Sequence, residues 1–162
     1  MMAVPLDAHA VRPVLALNLE LSHSGTGASA RVELHDRPSP ATSGVGSATR
    51  IARVALRGCI DAVAVMRLGQ ALDDLALRDV DLVLMDCAEL RHIDFRQLPA
   101  LVKALDRCEA RAGGVVLCGL SRYLRDLFRM AGCESRLSVS FSATDLLETG
   151  VPAPEPGGEC AS

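Results

Sequence analysis

From Ile51 onward the apolar positions switch repeatedly between two periods. Ile51-Ala52-Arg53-Val54-Ala55-Leu56 reads as a strand stopped by Gly58. Val65, Leu68, Leu72 and Leu75 then recur at intervals of three and four, one apolar stripe on a helix, with Asp61 as its N-cap. Asp81-Leu82-Val83-Leu84-Met85-Asp86 is an unbroken apolar run between two carboxylates, the pattern of a strand covered on both sides or lying at a sheet centre. A second stripe, Leu98, Leu101, Val102, Leu105 and Cys108, runs to Gly113-Gly114. Val115-Val116-Leu117-Cys118 is a short buried strand. Ser121 caps a third helix with Leu124, Leu127, Phe128 and Ala131 inward and Gly132 at its end. Leu137-Ser138-Val139-Ser140-Phe141 closes the series, with Ser142 and Asp145 opening a short last helix. The pattern predicts strands over 51–57, 81–86, 115–118 and 137–141, and helices over 63–77, 98–111, 122–131 and 143–148.

Upstream, 14–21 and 31–35 partly alternate apolar and polar residues around a Ser-Gly-Thr-Gly turn signal, which predicts a strand pair. Residues 1–36 therefore read as N-terminal strands continuing into the sheet. Residues 37–49 hold Pro, Ser, Thr and Gly and read as a flexible loop. Residues 50–149 form the core. Residues 150–162, with three prolines, read as a disordered tail. Strands and helices alternating after an opening strand pair imply a single α/β domain: a mixed sheet with about four helices and its later strands parallel.

Composition narrows the function. Apolar residues make up 49% of the chain, too many for a disordered protein. The formal charge of -3 gives no electrostatic case for nucleic acid or an anionic membrane. Its only aromatics are Phe95, Tyr123, Phe128 and Phe141, too few for a stacking platform. Cys59, Cys87, Cys108, Cys118, Cys133 and Cys160 form no C-x-x-C pair, and His9, His23, His35 and His92 are scattered, so no metal site is expected. No apolar run reaches the ~20 residues of a membrane span. Met1 to Val11 lack a basic start and a long apolar centre, so a cytoplasmic protein with reduced thiols is the expectation.

The order and spacing of several short markers resemble the STAS domain, the fold of bacterial anti-sigma factor antagonists. These are a strand followed by Gly58-Cys59-Ile60-Asp61, then Leu82–Asp86, Ile93-Asp94 leading into a helix, Gly113–Leu117, and Arg129-Met130-Ala131-Gly132. The resemblance covers about Arg50 to Thr149. It implies a non-enzymatic protein–protein interaction module that regulates a partner by binding, an anti-sigma factor or a serine kinase of that type, without cofactor, metal or nucleic acid. Antagonists of this family usually carry Asp-Ser-Ser/Thr-Gly-Leu at the second helix, with a phosphorylated hydroxyl. Here the segment reads Asp94-Phe95-Arg96-Gln97-Leu98, so the family position is degenerate and not phosphorylatable. A second role within the same fold is an accessory STAS subunit of a membrane lipid-transport ATPase.

The candidate partner-binding residues are Asp61, Asp94, Phe95, Arg96 and Gln97. Each also has a plain structural reading. Asp94 caps a helix, with Gln97 reaching back as a capping box. Arg96 in a first turn opposes the helix dipole, so it either meets an anionic partner or points into water. Phe95 either packs inward or stands on the recognition face as an anchor. The helix begins between Phe95 and Pro99. Arg122, Arg125 and Arg129 line one side of the third helix, either as a dock for an acidic partner or as a solvated face. Asp86, at a strand end, invites comparison with a phosphorelay receiver, but the earlier acidic pair and the lysine after a later strand are missing. No phosphate loop and no G-x-G-x-x-G follows a strand. No enzyme is expected.

Overall fold

The computed structural model describes residues 13–22, 27–38, 48–134 and 137. Five strands form one mixed sheet in the order β1-β2-β3-β4-β5: β1 Leu15–Glu20, β2 Ser29–Pro38, β3 Ala48–Ile60, β4 Leu82–Ile93 and β5 Val115–Cys118. The β1–β2 and β2–β3 pairings are antiparallel; β3–β4 and β4–β5 are parallel. Helix α1 (Ala62–Ala76) joins β3 to β4, and α2 (Leu98–Arg111) joins β4 to β5, as parallel neighbours require. Helix α3 (Arg122–Met130) follows β5. The expected α/β mixed sheet and opening strand pair are both present. The expected strand at 137–141, except Leu137, and the helix at 143–148 lie outside the described residues.

The helical stripes fold as their periodicity implies. Val65, Leu68, Leu72 and Leu75 of α1 and Leu98, Leu101, Leu105 and Cys108 of α2 are buried against Ala52, Val54, Leu56, Val83 and Met85 in one core; Val102 is half-buried at its margin. Asp61 caps α1, accepting from the Ala64 N–H at 2.8 Å, and Ser121 caps α3, accepting from the Leu124 N–H at 3.2 Å. The Arg107 guanidinium clamps Asp73 with two bonds of 2.9 and 3.2 Å, tying α2 to α1.

The strands differ from the sequence reading at their ends. β3 does not stop at Gly58. It continues to Ile60 through register shifts against β4, with Gly58 at φ +83° and packed so closely on the Gly27 carbonyl that a Cβ would lie 2.5 Å from it. Gly58 is thus a bulge within a strand. β4 likewise runs seven residues past Asp86; Cys87, Leu90 and Ile93 are buried, but the bulges break the strict alternation that would have marked them. The 37–49 loop is shorter than its composition suggests, because Arg37 pairs with Thr49 and Pro38 with Ala48 in the β2–β3 ladder. The Gly113-Gly114 stop also has a different cause. α2 already ends at Arg111, and Gly113 is there because its Cα sits against the Asp81 backbone, where a Cβ would be 2.3 Å from the carbonyl oxygen.

The other face of the sheet carries charge. Arg53 on β3 bonds Asp86 on β4 at 2.6 Å and reaches Glu33 on β2 at 3.4 Å; Arg31 bonds Glu33 at 2.7 Å, and Arg57 pairs with Glu89. His35, 3% exposed, lies 3.5 Å from Glu33. Beside this network Ile51, Leu84 and Cys118 form a small buried apolar cluster.

Gly58→Ala should destabilise the fold by about 1–3 kcal/mol in urea denaturation, from the left-handed backbone and the clash together. Acid should also weaken it. Burial pushes the Glu33 carboxyl up, but the Arg31 hydrogen bond and the Arg53 and Arg31 charges hold it below its ordinary 4.5. The Arg107 hydrogen bond holds Asp73 below 3.8. A carboxylate depressed in the folded state lends stability that is complete above its unfolded pKa and is lost as pH falls through the folded value. Stability should therefore be level above about pH 5 and decline below pH 4, with a shallower decline in Glu33→Gln.

Candidate functional site

Three parallel strands end on the same side of the sheet, and a helical segment begins after each. Ile60 and Ile93 are register partners at the ends of β3 and β4, and the Asp94 N–H donates to the Ile60 carbonyl at 2.8 Å. The caps of two successive helical segments, Asp61 and Asp94, thereby stand at the ends of neighbouring strands. β5 ends at Cys118, and Ser121 starts α3 on the same edge. Open parallel sheets place their binding crevices at this carboxyl edge.

The segment after β4 begins with a 3-10 turn, Phe95–Gln97, and becomes α-helical at Leu98. Asp94 accepts from the Arg96 N–H at 3.1 Å, and the Gln97 N–H donates to the Asp94 carbonyl at 2.8 Å. Gln97 makes no side-chain cap bond, so the expected reciprocal capping box is not formed; the tight turn brings the Arg96 amide to the carboxylate first. Pro99 lies in the first turn of α2, where its missing N–H removes no intrahelical bond.

The exposures settle which way these side chains face. Phe95 is 43% exposed, so it is not a core residue. Arg96 is almost fully exposed and lies 3.5 Å from Asp94. The Arg96 amide, then its guanidinium, with a smaller contribution from His92, hold the Asp94 carboxyl below its ordinary value. Two further residues were not singled out by the sequence. His92, near the end of β4, meets the Tyr123 hydroxyl at 2.7 Å, and the rings stack with centroids 5.8 Å apart. Tyr123, 51% exposed, thus ties the first turn of α3 to the β4 end that carries Asp94 and Phe95. A tertiary contact across 31 positions leaves no local signal, although Tyr123 is one of only four aromatics in the chain.

The edge therefore presents two exposed aromatics, a cation and two capping carboxylates. Between Asp94 and Leu98 it has no hydroxyl to accept a phosphoryl group. Asp86 is elsewhere: it lies within β4, 7% exposed, bonded to Arg53 and to the Ala88 N–H. The strand-end position that the receiver comparison required is not where Asp86 stands. Arg129 pairs with Asp126 on its own helix at 3.1 Å. Among the described residues no cluster of His, Cys, Asp and Glu is arranged to hold a metal ion, and no helix is long and apolar enough to cross a membrane.

A family model described as "Mlab, STAS domain" matches residues 43–147, more than half of the chain. No curated protein matches it. Among solved structures, the unphosphorylated anti-sigma factor antagonist SpoIIAA is similar over 60% of this chain and 84% of its own, at 17% identity and a TM-score of 0.52. An anti-sigma factor antagonist from Mycobacterium paratuberculosis covers 72% of this chain and 91% of its own, at 14% identity and a TM-score of 0.49. At these identities the likeness to SpoIIAA speaks for the fold.

Because Arg96 stands in solvent and Phe95 is 43% exposed, Arg96→Ala should change stability by no more than about 0.5 kcal/mol and Phe95→Ala by about 1 kcal/mol. Asp61→Ala should cost about 0.5–2 kcal/mol, since it removes a cap. Urea titration of the three variants compares them directly, and a large loss in Phe95→Ala would make that ring part of the core.

Proposed function

The chain belongs to the STAS domain family, and we propose that it is a non-enzymatic interaction module, antagonist-like but degenerate at the phosphorylation position, that regulates a protein partner by binding it in the cytoplasm. The observation that carries this reading is the turn after β4, where Phe95 and Arg96 stand exposed; by the sequence resemblance they take the positions at which antagonists of the family carry hydroxyls. An exposed aromatic beside a cation is the composition of a binding hot spot. A phosphoryl group adds roughly two negative charges and needs an oxygen nucleophile, which neither side chain supplies. Binding through Asp61, Asp94, Phe95, Arg96 and Gln97 is therefore constitutive in this reading, and control passes to the partner's abundance or state. The likeness to SpoIIAA, an anti-sigma factor antagonist, supports an anti-sigma factor as the kind of partner.

A second reading follows from the description of the matching family model, which names Mlab and not an antagonist. In it the same edge docks the chain on the ATPase of a membrane lipid-transport assembly as an accessory subunit.

Affinity capture with the full chain, wild type beside a Phe95→Ala, Arg96→Ala double variant, tests both. The expected result is a partner held by the wild type and weakened at least tenfold in the variant, about 1.4 kcal/mol, with the melting temperature lowered by no more than about 5 °C. An anti-sigma factor or a transport ATPase in the captured fraction chooses between the readings. Incubation with an anti-sigma factor kinase and ATP should leave residues 94–98 unmodified and binding unaltered. Equal capture by both forms would remove this edge as the docking site.

A further inference from the structure

Strand β1 is the edge of the sheet, with no strand among the described residues on its outer side and with the Arg67 guanidinium donating to its Glu20 carbonyl at 3.2 Å. Every residue from Pro13 to Glu20 is exposed except the half-buried Leu19, and Leu15 and Leu17 are 39% and 45% exposed. Leu21 donates to the Ala28 carbonyl at 3.0 Å, and these two are opposite one another in the β1–β2 register. In an antiparallel ladder hydrogen-bonded pairs alternate with non-bonded ones. Leu15, Leu17 and Leu19 therefore turn their backbone groups to β2, and the Val14 N–H also reaches the Leu34 carbonyl at 2.7 Å. Ala16, Asn18 and Glu20 aim their backbone groups outward, where no strand among the described residues meets them and Arg67 touches the Glu20 carbonyl. Natural edge strands protect such a row with lysines, prolines or bulges. Leu15-Ala16-Leu17-Asn18-Leu19-Glu20 has none of these within it and only one charge, at its end.

We propose that β1 pairs antiparallel with β1 of a second copy of this chain, joining two sheets across a two-fold axis at Asn18. The strand is complementary to itself in this register. Ala16 faces Glu20 of the second copy, Asn18 faces Asn18, and Glu20 faces Ala16, so the outward N–H and C=O groups of both strands find partners, the Glu20 carbonyl taking its second bond beside that of Arg67. On the helix-bearing face Leu17 meets Leu19 of the second copy. The two Glu20 carboxylates lie at opposite ends of the joint, so no like charges are opposed. On the other face the two Asn18 amides meet across the axis and can bond one another. A strand from an unrelated protein would satisfy the same backbone groups; the second copy is favoured because it brings the match of leucine to leucine and Glu20 to alanine with it.

Sedimentation velocity of the full chain over a wide concentration range reads the assembly. The wild type is expected to move from 17.1 kDa to twice that mass as concentration rises. Asn18→Pro deletes an outward donor without touching the β2 ladder, and Leu17→Lys puts a cation into the leucine contact; both should remain monomers with wild-type circular dichroism. Asn18→Cys reports the register without depending on either variant's folding. Directly opposed bonded residues have Cα atoms about 5.5 Å apart, within disulfide reach, so mild oxidation should cross-link this variant into dimers, whereas Ala16→Cys should cross-link no more than the wild type. A wild type that is monomeric throughout, a dimer untouched by Asn18→Pro and Leu17→Lys, or equal cross-linking of the two cysteine variants would each overturn the proposal.

Discussion

The parallel register of β3 against β4 is the constraint from which the rest of the molecule follows. β3 is the only described strand with an antiparallel neighbour on one side and a parallel one on the other. At one end of the pair, the Arg50 N–H bonds the Asp81 carboxylate and the Asp81 N–H bonds the Arg50 carbonyl, each at 2.8 Å. At the other, the Asp94 N–H bonds the Ile60 carbonyl. The two strands are thus pinned at both ends, and the irregularities between them, around Ala55–Arg57 and Gly58–Cys59, fall inside a fixed frame. A slip of one residue would turn every side chain to the wrong face, and it would also separate Asp61 from Asp94.

The Arg53–Asp86 contact belongs to the same pair. It bridges β3 and β4 on the polar face while Val54 and Met85 pack into the core on the other. Burying charge is costly unless it is paired, so this contact penalises other registers more than it adds to stability. It is a tertiary neighbour relation between two strands with a helix between them, and no pattern along the chain announces it.

That difference explains what could be read from the sequence. The helices were legible because Val65-Leu68-Leu72-Leu75 and Leu98-Leu101-Leu105-Cys108 are periodic, and a stripe of that kind has one way to be buried. The Asp61 and Ser121 caps were legible because capping is local. The far ends of β3 and β4 were not, since Gly58 and Glu89-Leu90-Arg91 interrupt the alternation and only the partner strand makes them extended. At the candidate edge, Asp94 and the loss of the hydroxyls could be read directly. The direction of Phe95 could not, because an aromatic after a cap suits a core and a surface equally well. His92 with Tyr123 depends on where α3 begins relative to the end of β4, which is a property of the assembled sheet.

The division of labour at the carboxyl edge has an evolutionary consequence. Asp61 holds the first turn of α1 and Asp94 holds the turn before α2, so selection on folding alone keeps both. Between them Arg96 stands in solvent and Phe95 is largely exposed, outside the buried core cluster. Lineages of such a chain can therefore drift at 95 and 96 without approaching the threshold of unfolding, and under the proposed docking they would exchange one partner for another on an unchanged frame. A family built this way would diversify its recognition two side chains at a time, with the scaffold serving as a template on which new specificities are tried.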